Sequence, residues 1–116
     1  MTDKPLGSAS ELGDLIAYLA EIVDARVGGD PKDSYTAKLL SKGPLHCGKK
    51  IAEEGAELAL ALAAEGKAES ASEAADLIYH MLVGLRSKGV SLDNVATALR
   101  KRQGLSGLEE KASRAD

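Results

Sequence analysis

The chain has 116 residues, enough for one domain with a core yet few enough that part of its apolar surface is expected to need a partner subunit. A net charge of −3 with neither Trp nor Phe removes the basic, stacking surface that a polynucleotide partner requires, and no apolar run nears the roughly 18 residues of a membrane span. An Ala- and Leu-rich composition favours helices, the lone Cys47 excludes an internal disulfide, and no basic-then-apolar leader opens the chain, so the expectation is an all-α, cytoplasmic oligomer.

Residues 1–7 hold Pro and Gly without periodicity and read as a loose terminus. Ser8-Ala9-Ser10-Glu11 has the spacing of a capping box, so a first helix is expected to open there. Leu12, Leu15, Ile16, Leu19, Ile22 and Val23 recur at helical spacing until Gly28-Gly29, which assigns their face to the core. Asp33 or Ser34 can cap a short helix over 35–41 that closes at Gly43-Pro44. Its Ser34, Thr36, Lys38 and Lys42 suit a phosphate, although a plain connector is an equally good reading. Pro44 can begin the next helix, running to about Ala64, and Ser72 can cap another from Glu73 to about Ser87. Ser91 caps a last helix whose Leu92, Val95, Ala96 and Leu99 are expected in the core before Arg100-Lys101-Arg102 end it. Residues 104–116 read as a polar tail, leaving a single domain over 8–103.

The chemistry lies between Lys49 and His80. At about 100° per residue, Lys50, Glu53, Glu54 and Glu57 fall within an arc of roughly 100° on one side of a helix, with Ile51, Gly55, Leu58 and Leu62 on another. In the following helix Glu73, Asp76, Leu77 and His80 share one stripe, and Ala74, Ile78, Leu82 and Leu85 share a second. The short link through Glu65-Gly66-Lys67 and Ser70-Ala71-Ser72 favours an antiparallel hairpin in which the acidic stripes face each other. Four or five carboxylates in so small a volume repel by several kcal/mol at moderate dielectric, so they need a cation. Oxygen donors without thiolate suit Mg²⁺ or Mn²⁺.

A Glu-rich helix face alone is usually solvated surface. Asp76 tips the reading, because an acid buried amid Ala74, Ala75, Leu77 and Ile78 needs a partner. A di-iron bundle would need Glu-x-x-His pairs, and neither His46 nor His80 has a Glu three residues before it. A structural helical adaptor would bind no divalent metal. His46 reads as an exposed surface residue, and His80 as a core residue or a support beside the site.

The segments SYTAKLLSKG, KKIAEEGAEL, EAADLIYHMLV and GVSLDNVATALRKR, in this order, resemble the phosphoribosyl-ATP pyrophosphohydrolases of histidine biosynthesis over roughly residues 11 to 114. The paired acidic motif alone is shared with the wider group of all-α NTP pyrophosphohydrolases that includes MazG and the dimeric dUTPases; SYTAKL and ADLIYH narrow the match. The resemblance implies hydrolysis of phosphoribosyl-ATP to phosphoribosyl-AMP and pyrophosphate with Mg²⁺, in a homodimer built from bundles of four to five helices. It implies Glu54, Glu57, Glu73 and Asp76 as metal ligands, Glu53 beside them orienting water, and Lys50 on phosphate oxygens. Any of Glu53, Glu54 and Glu57 can accept the water's proton. Lys38, Lys42, Arg100 and Arg102 are candidates for the substrate's further phosphate, and a general (d)NTP pyrophosphatase is the neighbouring alternative. The chain reads Ile-Ala-Glu-Glu-Gly where Val-Gly-Glu-Glu-Ala is more usual, and Leu45-His46-Cys47 in the preceding turn; neither departure removes a carboxylate. The familiar fusion to a cyclohydrolase domain is not expected in 116 residues.

Overall fold

The computed structural model describes residues 4–103, which form five helices and no strand: α1 (Ser10–Ala25), α2 (Tyr35–Lys42), α3 (Pro44–Ala64), α4 (Lys67–Lys88) and α5 (Leu92–Lys101). Of the two segments expected to be loose, 4–7 lack regular structure, while 1–3 and 104–116 lie outside the described residues. Among the described residues, no helix is long and apolar enough to cross a membrane.

The hairpin of α3 and α4 is the frame on which the rest is hung. Glu65 and Gly66 take extended backbone between helices of 21 and 22 residues, which at 1.5 Å rise run side by side for about 30 Å. Glu57 meets Glu73 near the turn, and Cys47 and Ile51 meet Gly84 far from it, so the pair is antiparallel. Gly84 leaves room for the Ile51 side chain, whose Cδ1 would stand 2.8 Å from a Cβ there.

Val23 of α1, Leu39 of α2, Cys47 of α3 and Leu82 and Val83 of α4 make the buried core, with Ile16, Leu19, Leu40, Ile78 and Tyr79 packed against it. Burying a side chain such as Leu39 or Leu82 stabilises by about 1.5–3 kcal/mol. Cys47 is an inert core residue, its thiol donating to the Leu39 carbonyl at 3.3 Å. An ion pair between Asp24 and Arg86 (2.8 Å) ties α1 to α4 at the surface.

Where local signals are strong, the helix ends follow them. Ser34 accepts from the Ala37 N–H at 3.1 Å, and Pro44 stands at the start of α3 after Gly43, whose φ of +87° suits glycine. Ser91 accepts from the Asn94 N–H while Asn94 Oδ1 accepts from the Ser91 N–H, a reciprocal capping box. Gly89, at φ +77°, closes α4: its N–H reaches the Arg86 carbonyl and the Val90 N–H reaches that of Leu85.

Three expectations are corrected. The capping box at Ser8 does not form; α1 opens at Ser10 after Ala9, and Ser8 Oγ accepts instead from the Ser10 N–H at 3.2 Å. Helix α4 begins at Lys67 rather than Glu73, leaving Ser72 inside it, because Lys67, Ala68 and Glu69 are good helix formers and an interior Ser costs only a fraction of a kcal/mol. The apolar faces of α1 and α5 are not core along their length. Leu12 and Leu15 are about half exposed, Leu99 is 63% exposed, and no residue of α5 is buried.

Candidate active site

The hairpin brings Glu54 and Glu57, one turn apart on α3, against Glu73 of α4. One carboxylate oxygen from each lies within 4.8 Å of the others. Glu54 and Glu73 are half-buried and Glu57 is exposed, so the cluster sits at the edge of the hairpin with one side open to solvent. Glu73 Oε2 is buried and has no hydrogen-bond partner, a costly state for a carboxylate oxygen.

The electrostatics follow from this crowding. Loss of water lifts the Glu54 carboxyl above its ordinary value, and the Glu57 charge, a hydrogen bond to Glu57 and the Asp76 charge add to it, while His80 opposes them. Glu73 is lifted likewise, first by burial, then by its closeness to the Glu57 carboxyl, which can share a proton with it only when one of the two is protonated, then by the charges of Asp76 and Glu54. The chain therefore gathers like charges whose mutual repulsion a cation would relieve.

The structure separates the other candidates. Asp76 is exposed and stands outside the group of three, although its charge acts on both Glu54 and Glu73. The expectation that Asp76 is buried and needs a partner is thus corrected: Ala74, Leu77 and Ile78 are half-buried, while Ala75 and Asp76 meet water. Lys50 pairs with Glu53 at 3.4 Å along the same helix, one turn before Glu54 and two before Glu57. His46 is half-buried rather than exposed, and burial followed by the charges of Lys42, Lys50 and Lys49 pushes its pKa down. Those lysines surround His46 with positive charge, and of them Lys50 also reaches the acidic face, through Glu53. Lys38 is exposed on α2. Arg100 donates to Thr97 Oγ1 within its own helix at 3.1 Å, and with Arg102, Leu99 and Gln103 it lines a shallow hollow on α5.

Sequence reading missed the link between α2 and α4. Thr36 Oγ1 and Tyr79 Oη are 2.6 Å apart, and Tyr35 Oη lies 3.5 Å from His80 Nε2. His80 is buried, and its Nδ1 donates to the Asp76 carbonyl at 2.8 Å. Burial raises the Tyr79 phenol above its ordinary value. The distinctive SYTAKL segment was the available signal, but pairs more than 40 residues apart leave no local pattern. A larger cleft of about 660 Å³ lies elsewhere, among Val23, Leu82, Leu85, Val90 and Leu92, and holds none of these carboxylates.

An antiparallel helix hairpin that joins two i, i+3 acidic motifs defines the class of all-α nucleotide pyrophosphohydrolases. Within it, residues 8–103 match the phosphoribosyl-ATP pyrophosphohydrolase family, and the chain belongs to that family. It is 51% identical over 96 residues to phosphoribosyl-ATP pyrophosphatase 1 of Rhodopseudomonas palustris, covering 83% of this chain and 90% of that one. It is 50% identical over 100 residues to phosphoribosyl-ATP pyrophosphatase of Ruegeria sp., covering 86% and 95%. The histidine biosynthesis bifunctional protein HisIE of Wolinella succinogenes is 48% identical over 121 aligned positions, covering 98% of this chain and 52% of the longer protein.

Proposed function

We propose that this chain is a cytoplasmic enzyme that hydrolyses phosphoribosyl-ATP to phosphoribosyl-AMP and pyrophosphate, the second step of histidine biosynthesis, and that residues 8–103 form a single catalytic domain for that reaction. The observation that carries the chemistry is the orphaned, buried Glu73 Oε2 within a set of three carboxylates whose oxygens approach to 4.8 Å. A hard divalent cation answers both the missing partner and the repulsion, and an all-oxygen donor set fits Mg²⁺, with Mn²⁺ as the close substitute. Glu54, Glu57 and Glu73 would hold it, with Asp76 adding charge from the solvent side. When bound, the ion neutralises the departing pyrophosphate and makes water a better nucleophile.

The protein's own groups divide the remaining work. Attack by water on the α-phosphorus breaks the bond to the bridging oxygen, and that oxygen leaves with pyrophosphate; the water's proton passes to a carboxylate. Glu53, exposed and steadied by Lys50, is the acid of this face that lies outside the group of three, so it is suited to orient the water. Lys50 and Lys42 beside His46 offer charge to the phosphates, and Lys38, Arg100 and Arg102 are assigned to the second phosphoribosyl group. Pyrophosphate release from phosphoribosyl-ATP, ATP, dUTP and dCTP at equal concentration tests the assignment. Phosphoribosyl-ATP is expected to turn over at least tenfold faster than the others; equal turnover of an ordinary nucleotide would place the chain among general nucleotide pyrophosphatases.

The active form is proposed to be a homodimer. Leu99 of α5, Leu60 and Leu62 of α3 and Leu15 of α1 are each at least half exposed, and water-facing leucines in this number favour burial against a second copy. Light scattering at micromolar concentration is expected to give twice the chain mass, and a monomer there would end the idea.

A further inference from the structure

We propose that Tyr35 forms the purine-facing wall of the site and stacks on the base of the nucleotide whose phosphates meet Glu54, Glu57 and Glu73. This rests on the nucleotide reading given above. Tyr35 is the first residue of α2 and its side chain is half free, at 51% exposure, yet its ring is held. Its hydroxyl lies 3.5 Å from His80 Nε2, and the two rings meet edge-on with centroids 6.2 Å apart. His80 is itself fixed. A carbonyl can only accept, so the 2.8 Å contact with the Asp76 carbonyl puts a proton on Nδ1 and turns Nε2 toward Tyr35. On its other side Tyr79 packs edge-on at 4.9 Å, with its hydroxyl 2.6 Å from Thr36. Two bridges thus lock the first turn of α2 to α4, and a ring oriented in advance loses little freedom when a ligand stacks on it.

Position identifies the ligand. Glu73 and His80 are seven residues apart on one stripe of α4, so they are separated by two turns, roughly 10.5 Å along the axis. Phosphates placed at the carboxylates leave the ribose and base of an extended nucleotide further along that stripe, toward His80 and the half-exposed Tyr35 ring that meets it. The chain has three Tyr and no Trp or Phe; Tyr18 belongs to α1 and Tyr79 is held against the core, so Tyr35 is the aromatic face offered here. Truncating an aromatic that stacks on a base weakens binding roughly five- to hundredfold.

Steady-state kinetics of the full chain with phosphoribosyl-ATP and Mg²⁺ test this. Tyr35→Leu is expected to raise KM about tenfold or more while kcat stays within about threefold and helix content is unchanged. Tyr35→Phe keeps the ring, and its KM is expected to rise no more than about threefold. In Tyr35→Leu, inhibition by AMP weakens by about tenfold, whereas inhibition by inorganic pyrophosphate, which has no base, does not change. A KM for Tyr35→Leu within threefold of wild type, or equal weakening toward AMP and pyrophosphate, overturns the proposal. If the wild-type chain does not turn over phosphoribosyl-ATP, the proposed reaction falls on its own, and calorimetry with AMP and ribose 5-phosphate still decides on Tyr35. Loss of the AMP preference in Tyr35→Leu then supports stacking; a preference that survives the substitution, or is absent from wild type, refutes it.

Discussion

Glu73→Gln is expected to lower Mg²⁺-dependent kcat by roughly a thousandfold, about 4 kcal/mol of transition-state stabilisation, while leaving helix content intact. Glutamine keeps the length of the side chain but presents one neutral oxygen where the buried, unpartnered Oε2 and its charge stood. The same loss is expected for Glu54→Gln and Glu57→Gln, since each supplies an oxygen to the group of three. Folding is not expected to suffer: each substitution removes a like charge from a crowded set, so the metal-free variants should be at least as stable as wild type. Asp76→Asn is expected to cost less, because Asp76 is exposed and acts through its charge from outside the group. Activity assays alongside circular dichroism decide it. Near wild-type turnover at two or more of the three Glu positions would sink the assignment.

How far this site was legible in the sequence depends on which link is asked about. Helical periodicity placed Glu54 and Glu57 on one face, and a two-residue break at Glu65-Gly66 left α4 little choice but to fold back along α3. What periodicity cannot give is depth. Asp76 shares the Glu73 stripe, yet a small rotation about the helix axis separates a half-buried carboxylate from an exposed one, and that rotation is fixed by core contacts such as those of Leu82 and Val83. The same limit explains Leu12, Leu15 and Leu99: an apolar stripe announces that a surface wants covering, not which chain covers it. Ser72 misled for a different reason. A serine before a run of helix formers is a start signal only if the preceding residues decline the helix, and Lys67 to Ala71 do not.

Mg²⁺ is expected to raise the melting temperature by on the order of 10 °C at a hundred times its Kd, since that excess contributes about 2.7 kcal/mol and each kcal/mol moves Tm by about 4 °C in a domain of this size. The metal-free protein supplies the counterpart through its pH dependence. Glu54 and Glu73 are both raised above their ordinary 4.5, so the folded chain binds more protons than the unfolded one between that value and their folded values. The stability they contribute is fully present below about pH 4.5 and is lost as pH rises through the folded values, the opposite of a salt-bridged carboxylate. Melting curves between pH 5 and 8 in EDTA are therefore expected to show wild type losing stability relative to Glu73→Gln as pH rises. Saturating Mg²⁺ should close that difference and carry wild type above the variant, because only the intact set of carboxylates holds the ion. Parallel pH profiles for the two proteins in EDTA, together with a Mg²⁺ shift below 1 °C, would show that the three glutamates are surface charge and that the buried oxygen of Glu73 is satisfied by some other partner.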